Sequence, residues 1–236
     1  MGTVNCDGRT TREINAEIKR QVQQGDRQIL VQNPGAKHNL GVALLKPVTL
    51  QIEGSVGYYC GGLIDGPTIE VAGSAGWGLA ECMMNGHVVV HGSAGNGAAA
   101  SIRGGTVVIR GDAAARLGIS IKGGSVIVAG DCGYMAGFMG QKGTLIVCGD
   151  TGEGFGDSMY ETVCYVGGKI AGLGNDAVVE SPTSDDAQSL DALLGRLLDP
   201  ELRKGLPPSR EFKKVVAGRK LWNFDKRDWK TWQEAL

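Results

Sequence analysis

The sequence predicts an all-β protein: a single-stranded, right-handed parallel β-helix of about seven coils, with an N-terminal α/β cap and a helical, tryptophan-rich C-terminal tail. Three observations carry that expectation. First, a glycine closes a short apolar run at a fixed period. Gly54, Gly73, Gly92, Gly111, Gly130 and Gly149 stand 19 residues apart, with a last step of 18 to Gly167. One such unit cannot bury a core by itself, so self-similarity at this period means stacked coils. Second, two columns stay apolar throughout. Two residues before the glycine lie Ile52, Val71, Val90, Ile109, Val128, Val147 and Tyr165; four before lie Leu50, Ile69, Val88, Val107, Val126, Leu145 and Val163. A spacing of two places both columns on one strand face, which is the interior. Third, the apolar runs are too short for helices and are broken by glycine every few residues. Glycine accounts for 39 of 236 residues, well above the usual share of about 7 %.

A strand that meets its own copy one coil later runs parallel to it. Coils about 4.8 Å apart give a rod roughly 30 Å long for seven of them. A 19-residue period suits a right-handed helix better than the left-handed kind, whose hexapeptide units give coils of about 18 residues. Each interior Val, Ile or Leu contributes ~1.5–3 kcal/mol on burial, against ~0.5–1 kcal/mol lost per strand glycine. The glycines are therefore expected where corners need positive φ or where backbones approach closely.

In chain order, residues 1–47 form the cap. Within it, residues 10–24 carry Ile14, Ile18 and Val22 four apart, with Thr10 or Thr11 as N-cap and Gly25 beyond the end, an amphipathic helix. An apolar strand, RQILVQ, and a turn at Asn33-Pro34-Gly35 follow. An open coil end invites edge pairing, so this segment is expected to cover it. Residues 48–180 are the β-helix. After Glu180 the glycine rhythm stops, and residues 181–236 form the tail. Leu190, Leu193, Leu194, Leu197 and Leu198 make a helical stripe there, with Ser184 as N-cap and Pro200 as stop. Pro207-Pro208 then precedes a basic stretch holding Trp222, Phe224, Trp229 and Trp232.

One outward column turns apolar. Three residues before the glycine it reads Gln51, Glu70, Val89, Val108, Ile127, Ile146, Cys164. A stripe of that length is covered by something, either the chain's own tail or another protein. Val89, Val108, Ile127 and Ile146, with Trp222, Phe224, Trp229 and Trp232, are the candidate partner-interface residues. Truncation after about Pro207 is expected to leave the β-helix folded and to weaken partner capture.

Chemistry-bearing groups are sparse. Six cysteines fall in six contexts with no CxxC spacing, and read as reduced thiols of a cytoplasmic protein. His87 and His91 flank a Val triplet, but four strand residues span about 13 Å, too far for one metal; His38 has no evident partner. Ser55, Ser74, Ser93, Asp112, Asp131 and Asp150 form a column one residue after the glycine. Stacked carboxylates repel, so backbone donors or a cation must compensate, with Arg103, Lys122 and Lys142 near in sequence. The Gly152–Gly156 run GEGFG lacks the following helix a phosphate cradle needs. No catalytic, cofactor or metal set is therefore expected in this chain. A net charge of −1 argues against nucleic acid or an anionic membrane as partner. No apolar run approaches the ~20 residues of a bilayer span, and the first residues hold no signal-peptide core.

The repeats GSAGWGLAECMMNGHVVVHGSAGNGAAASIRGGTVVIRGD and GDTGEGFGDSMYETVCYVGGKIAGLGNDAVVE, with the NPGAKHNLGVAL lead-in, resemble the GXGXG β-helix domain over roughly residues 29–180. That domain ends the large subunit of glutamate synthase and also forms one of the subunits of formylmethanofuran dehydrogenase. The resemblance implies a right-handed β-helix without catalytic residues, packed beside amidotransferase and FMN domains. Standing alone, the chain looks like the small β-helix subunit of N-methylglutamate synthases. Partners implied are an amidotransferase-like subunit and an FMN-binding glutamate-synthase-like subunit, with FMN and an iron–sulfur cluster on a partner. The reaction implied is methylamine plus glutamate giving N-methylglutamate and ammonia. Gly2 stands where the amidotransferase nucleophile, a cysteine after Met1, would be expected, so that role belongs to another chain. The alternatives are the β-helix subunit of a glutamate synthase or formylmethanofuran dehydrogenase complex and, from another class, a free-standing β-helix enzyme, which would need acids or histidines clustered from neighbouring coils.

Overall fold

A computed structural model describes residues 1–219. Eleven strands form one sheet in the order β1-β2-β3-β4-β5-β6-β7-β8-β9-β11-β10. β1 (Gly2–Asn5), β2 (Gln28–Gln32), β3 (Thr49–Ile52), β4 (Asp65–Val71) and β5 (Asn85–Val90) are followed by β6 (Thr106–Ile109), β7 (Lys122–Val128), β8 (Lys142–Val147) and β9 (Glu161–Val166). All nine pair parallel with their neighbours, one rung per coil. The result is a parallel β-helix, as the periodicity requires. The expected internal file is continuous: Val71, Val90, Ile109, Val128 and Val147 pair in succession and are all fully buried.

Register at the end of the rod differs from the sequence expectation. Val147 pairs with Val166, Ile146 with Tyr165 and Leu145 with Cys164. The backbone N–H of Gly168 donates to Gly149, continuing the bonds from Gly149 to Gly130 and from Gly130 to Gly111. The period is therefore 19 to the last coil, anchored on Gly168 rather than Gly167. The doublet allowed two registers, and burial selects between them. Cys164 and Val166 enter the core, while Tyr165 points outward, where its hydroxyl finds a partner.

The anchor glycines are needed for close approach. A Cβ on Gly111 would lie 3.0 Å from the backbone carbon of Gly92 and 2.6 Å from Ser93 Oγ, closer than side-chain carbons pack. Past each anchor the coils touch through single parallel bridges, Val56↔Ala75, Ala75↔Ala94, Ala94↔Ala113 and Ala113↔Cys132. A left-handed stretch follows, with positive φ at Tyr59, Gly61 and Leu63 and again at Gly78, Ala80 and Cys82. The non-glycine residues among them cost on the order of 1 kcal/mol or more each unless the surroundings hold them. Inter-coil bonds do: Tyr59 and Leu63 donate to Trp77 and Glu81 of the next coil, and Gly61 donates to Leu40 of the previous one.

Helix α1 (Thr11–Gln23) buries Ile14, Ile18 and Val22 into the core cluster that holds Val4 and Ile29. Thr10 caps it, with a reciprocal bond between Glu13 and the cap. At the other end, β11 (Lys213–Ala217) inserts antiparallel between β9 and β10 (Ala177–Glu180). The parallel ladder thus ends on an antiparallel pair. Truncation after Pro207 would remove β11 and the buried Phe212, so that cut falls inside the folded unit. Helix α2 (Ser184–Leu197) is capped by Thr183 through Asp186, not by Ser184. Pro200 opens a short helix, α3 (Pro200–Arg203), because its fixed φ suits a first turn. Among the described residues no helix is long and apolar enough to cross a membrane.

Candidate interaction surface

The outward apolar stripe is covered from within. Val108, Ile127 and Ile146 have no exposed surface and Val89 is half-buried; all pack in a second cluster with Leu190, Leu194, Leu198 and Phe212. Tyr165, not Cys164, ends the stripe. The four aliphatic candidates therefore line an intramolecular seam and not a partner surface, because α2 lays its leucines four apart on them. Trp222, Phe224, Trp229 and Trp232 lie outside the described residues.

Polar contacts fasten α2 along its length. The Tyr165 hydroxyl donates to Asp186 Oδ1 at 2.6 Å, and Lys214 Nζ stands 2.9 Å from Asp186 Oδ2. Burial opposes ionisation of Asp186, but donors from Tyr165, Lys214 and Thr183 outweigh it and hold the carboxyl well below the usual range. Burial, then the adjacent carboxylate, pushes the Tyr165 phenol up. Ser209 donates to Asp191, and Arg110 pairs with Asp199 at 2.7 Å.

The Ser/Asp column is a hydrogen-bond ladder. Each side chain accepts the N–H of its counterpart one coil later: Ser55 from Ser74, Ser74 from Ser93, Ser93 from Asp112, Asp112 from Asp131, Asp131 from Asp150, and Asp150 from Lys169, at 2.6–3.2 Å. The compensating donors are thus backbone amides. Lys122 points instead to Ser101 Oγ and the Ser120 carbonyl.

Five of the six thiols are buried, and Cys82 is half-buried. Burial pushes Cys60, Cys132 and Cys148 up to about 12 and raises Cys164 further, which disfavours the nucleophilic thiolate. His91 Nε2 lies 2.9 Å from Glu70 Oε1, and Arg110 approaches its Nδ1 at 3.2 Å. His87 is half-buried, and burial, then Arg196, lowers its pKa. His38 does have partners. Its Nδ1 accepts the Tyr58 N–H at 2.9 Å, and its ring stacks on Tyr58 with centroids 4.4 Å apart.

That stack begins the surface the outward stripe was expected to provide. Tyr58 stacks in turn on Trp77, 5.2 Å away at 17°. Tyr58, Tyr59, Trp77 and Leu63 remain 40–58 % exposed, a larger apolar group than scattered surface residues make. Beside them opens a cavity of about 350 Å³ lined by Val42, Tyr59, Leu63, Glu81 and Cys82 among others. The signal was present in the sequence. Four residues past each anchor, the column reads Tyr58, Trp77, Asn96, Ala115, Tyr134, Glu153, and its aromatic members are unmatched by any aliphatic column that could bury them.

Fold and surface together define a β-solenoid whose Ser/Asp column serves the coils and which leaves an aromatic and apolar area open around Tyr58, Tyr59, Leu63 and Trp77. The GXGXG motif family model matches residues 8–193, and the chain belongs to that family. It is also similar to Protein GlxC of Rhizobium meliloti (strain 1021), 43 % identical over 57 residues, which is 23 % of this chain and 25 % of that protein. The match thus spans a quarter of that relative's length.

Proposed function

We propose that this chain is a non-catalytic assembly subunit of a glutamate-synthase-like multisubunit enzyme. The observation that carries the reading is the GXGXG match across the solenoid, in a chain whose carboxylate column, five buried thiols, His38 and His91 are tied into the fold. Such a rod offers neighbouring enzymes a stiff, extended surface. The narrower reading is N-methylglutamate synthase, converting methylamine and glutamate to N-methylglutamate and ammonia. Its partners are an amidotransferase-like subunit and an FMN-binding glutamate-synthase-like subunit, which carries FMN and an iron–sulfur cluster. Trp222, Phe224, Trp229 and Trp232 are proposed as partner anchors, since tryptophan dominates interface energetics. Cytoplasmic residence is part of the same proposal.

The test is to isolate the tagged full chain from its source cells and weigh the assembly by native mass spectrometry. The expected result is a stoichiometric complex with flavin on a second chain and methylamine-dependent N-methylglutamate formation. Recovery of the chain alone would refute the assembly role. A complex with glutamate synthase activity and no methylamine turnover would refute only the narrower reading.

A further inference from the structure

The cavity beside the aromatic stack is mostly apolar and has one acidic residue, Glu81, in its lining. Glu81 is half-buried at its edge, and among the described residues its carboxylate has no hydrogen-bond donor or cation. Gly78 separates that carboxylate from the Tyr59 ring. A methyl there would lie 2.6 Å from a Tyr59 ring carbon and 2.9 Å from Glu81 Oε2, so ring and carboxylate stand side by side across a position that only glycine leaves open. Val42 and Leu63 supply apolar walls. A carboxylate, an aromatic ring and aliphatic walls around one opening suit a cation on a long apolar stem. The stem replaces water on the walls, the head meets the carboxylate, and the ring adds cation–π attraction.

We infer that this surface docks a protein partner that inserts an arginine or lysine side chain beside Glu81, with Tyr58 and Trp77 as the surrounding apolar contact. The inference rests on the assembly reading above and specifies what the partner must bring. A small free amine in the cavity would leave Tyr58 and Trp77, which lie outside its lining, 40 % and 52 % exposed. A protein covers them, and tyrosine, tryptophan and arginine are the residues enriched at interface centres. An acidic partner residue is disfavoured, since it would meet the Glu81 carboxylate.

The experiment uses the tagged complex from source cells, with p-benzoylphenylalanine introduced at Leu63 as photo-cross-linker, and separately Glu81→Lys and Glu81→Gln. The expected cross-link joins Leu63's position to one other polypeptide, within a few residues of an Arg or Lys. Glu81→Lys should reduce co-purified partner by about tenfold or more, Glu81→Gln by less, and charge reversal of the cross-linked basic residue should restore capture by Glu81→Lys. Unchanged melting temperatures of the free variants show that folding is intact. Full partner content with Glu81→Lys would overturn the inference while leaving the assembly reading standing. So would a cross-link to residues 220–236 of the same chain or to a second copy. Saturation of the free chain by methylammonium alone below millimolar concentration, with partner content unaffected, would overturn it in favour of a small-ligand pocket. A wild-type chain recovered without any partner refutes the assembly reading itself.

Discussion

Replacing Ile127 with alanine should free helix α2 and leave the solenoid intact. Ile127 has no exposed surface and lies in the cluster with Leu190, Leu194, Leu198 and Phe212, apart from the coil interior. Three carbons are lost. At ~0.8 kcal/mol per carbon the transfer contribution is about 2.4 kcal/mol, and an incompletely closed cavity brings the total to roughly 2–5 kcal/mol. The seam joins one helix to an already complete sheet, so the loss falls on the local docking equilibrium. A loss of about 3 kcal/mol raises the undocked population roughly a hundredfold. Amide hydrogen exchange followed by mass spectrometry reads this directly. Peptides covering Ser184–Leu197 should exchange roughly a hundredfold faster, while those from β3, β4 and β5 keep their protection. The neighbouring change, Val128→Ala, touches the interior file and should instead accelerate exchange across the adjoining coils and lower the melting temperature. Two outcomes would refute the assignment of faces: unchanged exchange in α2, or loss of protection throughout the coils, on Ile127→Ala.

Three further outcomes are expected. Asp131→Ala removes the acceptor for the Asp150 N–H and should cost about 1 kcal/mol in urea denaturation. Asp131→Asn retains an acceptor oxygen and relieves carboxylate repulsion, so it should cost less; equal losses would contradict the ladder. His87 is held below its ordinary 6.5 by burial and by Arg196. The unfolded chain therefore takes up that proton first as pH falls, and stability should decline below about pH 6.5 and be insensitive to this group above it. His87→Gln should flatten the melting-temperature slope between about pH 6.5 and 5, and an unaltered slope would exclude the imidazole as its source. Truncation after Pro207 should lower the thermal transition relative to truncation after Arg219, because β11 and Phe212 are lost; equal melting temperatures of the two truncations would contradict the packing of β11.

Much of the solenoid was legible in one chain because its unit repeats. Val71, Val90, Ile109, Val128 and Val147 declare an interior file by recurring at one offset. Capping chemistry likewise marked α1 through Thr10. Legibility failed where repetition failed. Gly167-Gly168 offered two anchors, and only the burial of Cys164 and Val166 chose between them. The β11 strand occurs once and pairs antiparallel to β9, so no period announces it.

The candidate surface was misplaced for a related reason. An exposed apolar column and one buried under a distant helix look identical in sequence, since parity reports which side of the strand a residue occupies but not what lies over it. Thus Val108, Ile127 and Ile146 were legible as outward, and their cover by Leu190, Leu194 and Leu198 was not.

By itself the sequence determined the rod, its 19-residue pitch and its aliphatic interior, because those follow from local alternation and from contacts between equivalent positions. The tertiary structure alone decided which outer face is closed by α2 and which is left open at Tyr58, Trp77 and Glu81. Those depend on where non-repeating segments come to rest, and that is set by packing between residues far apart in the chain.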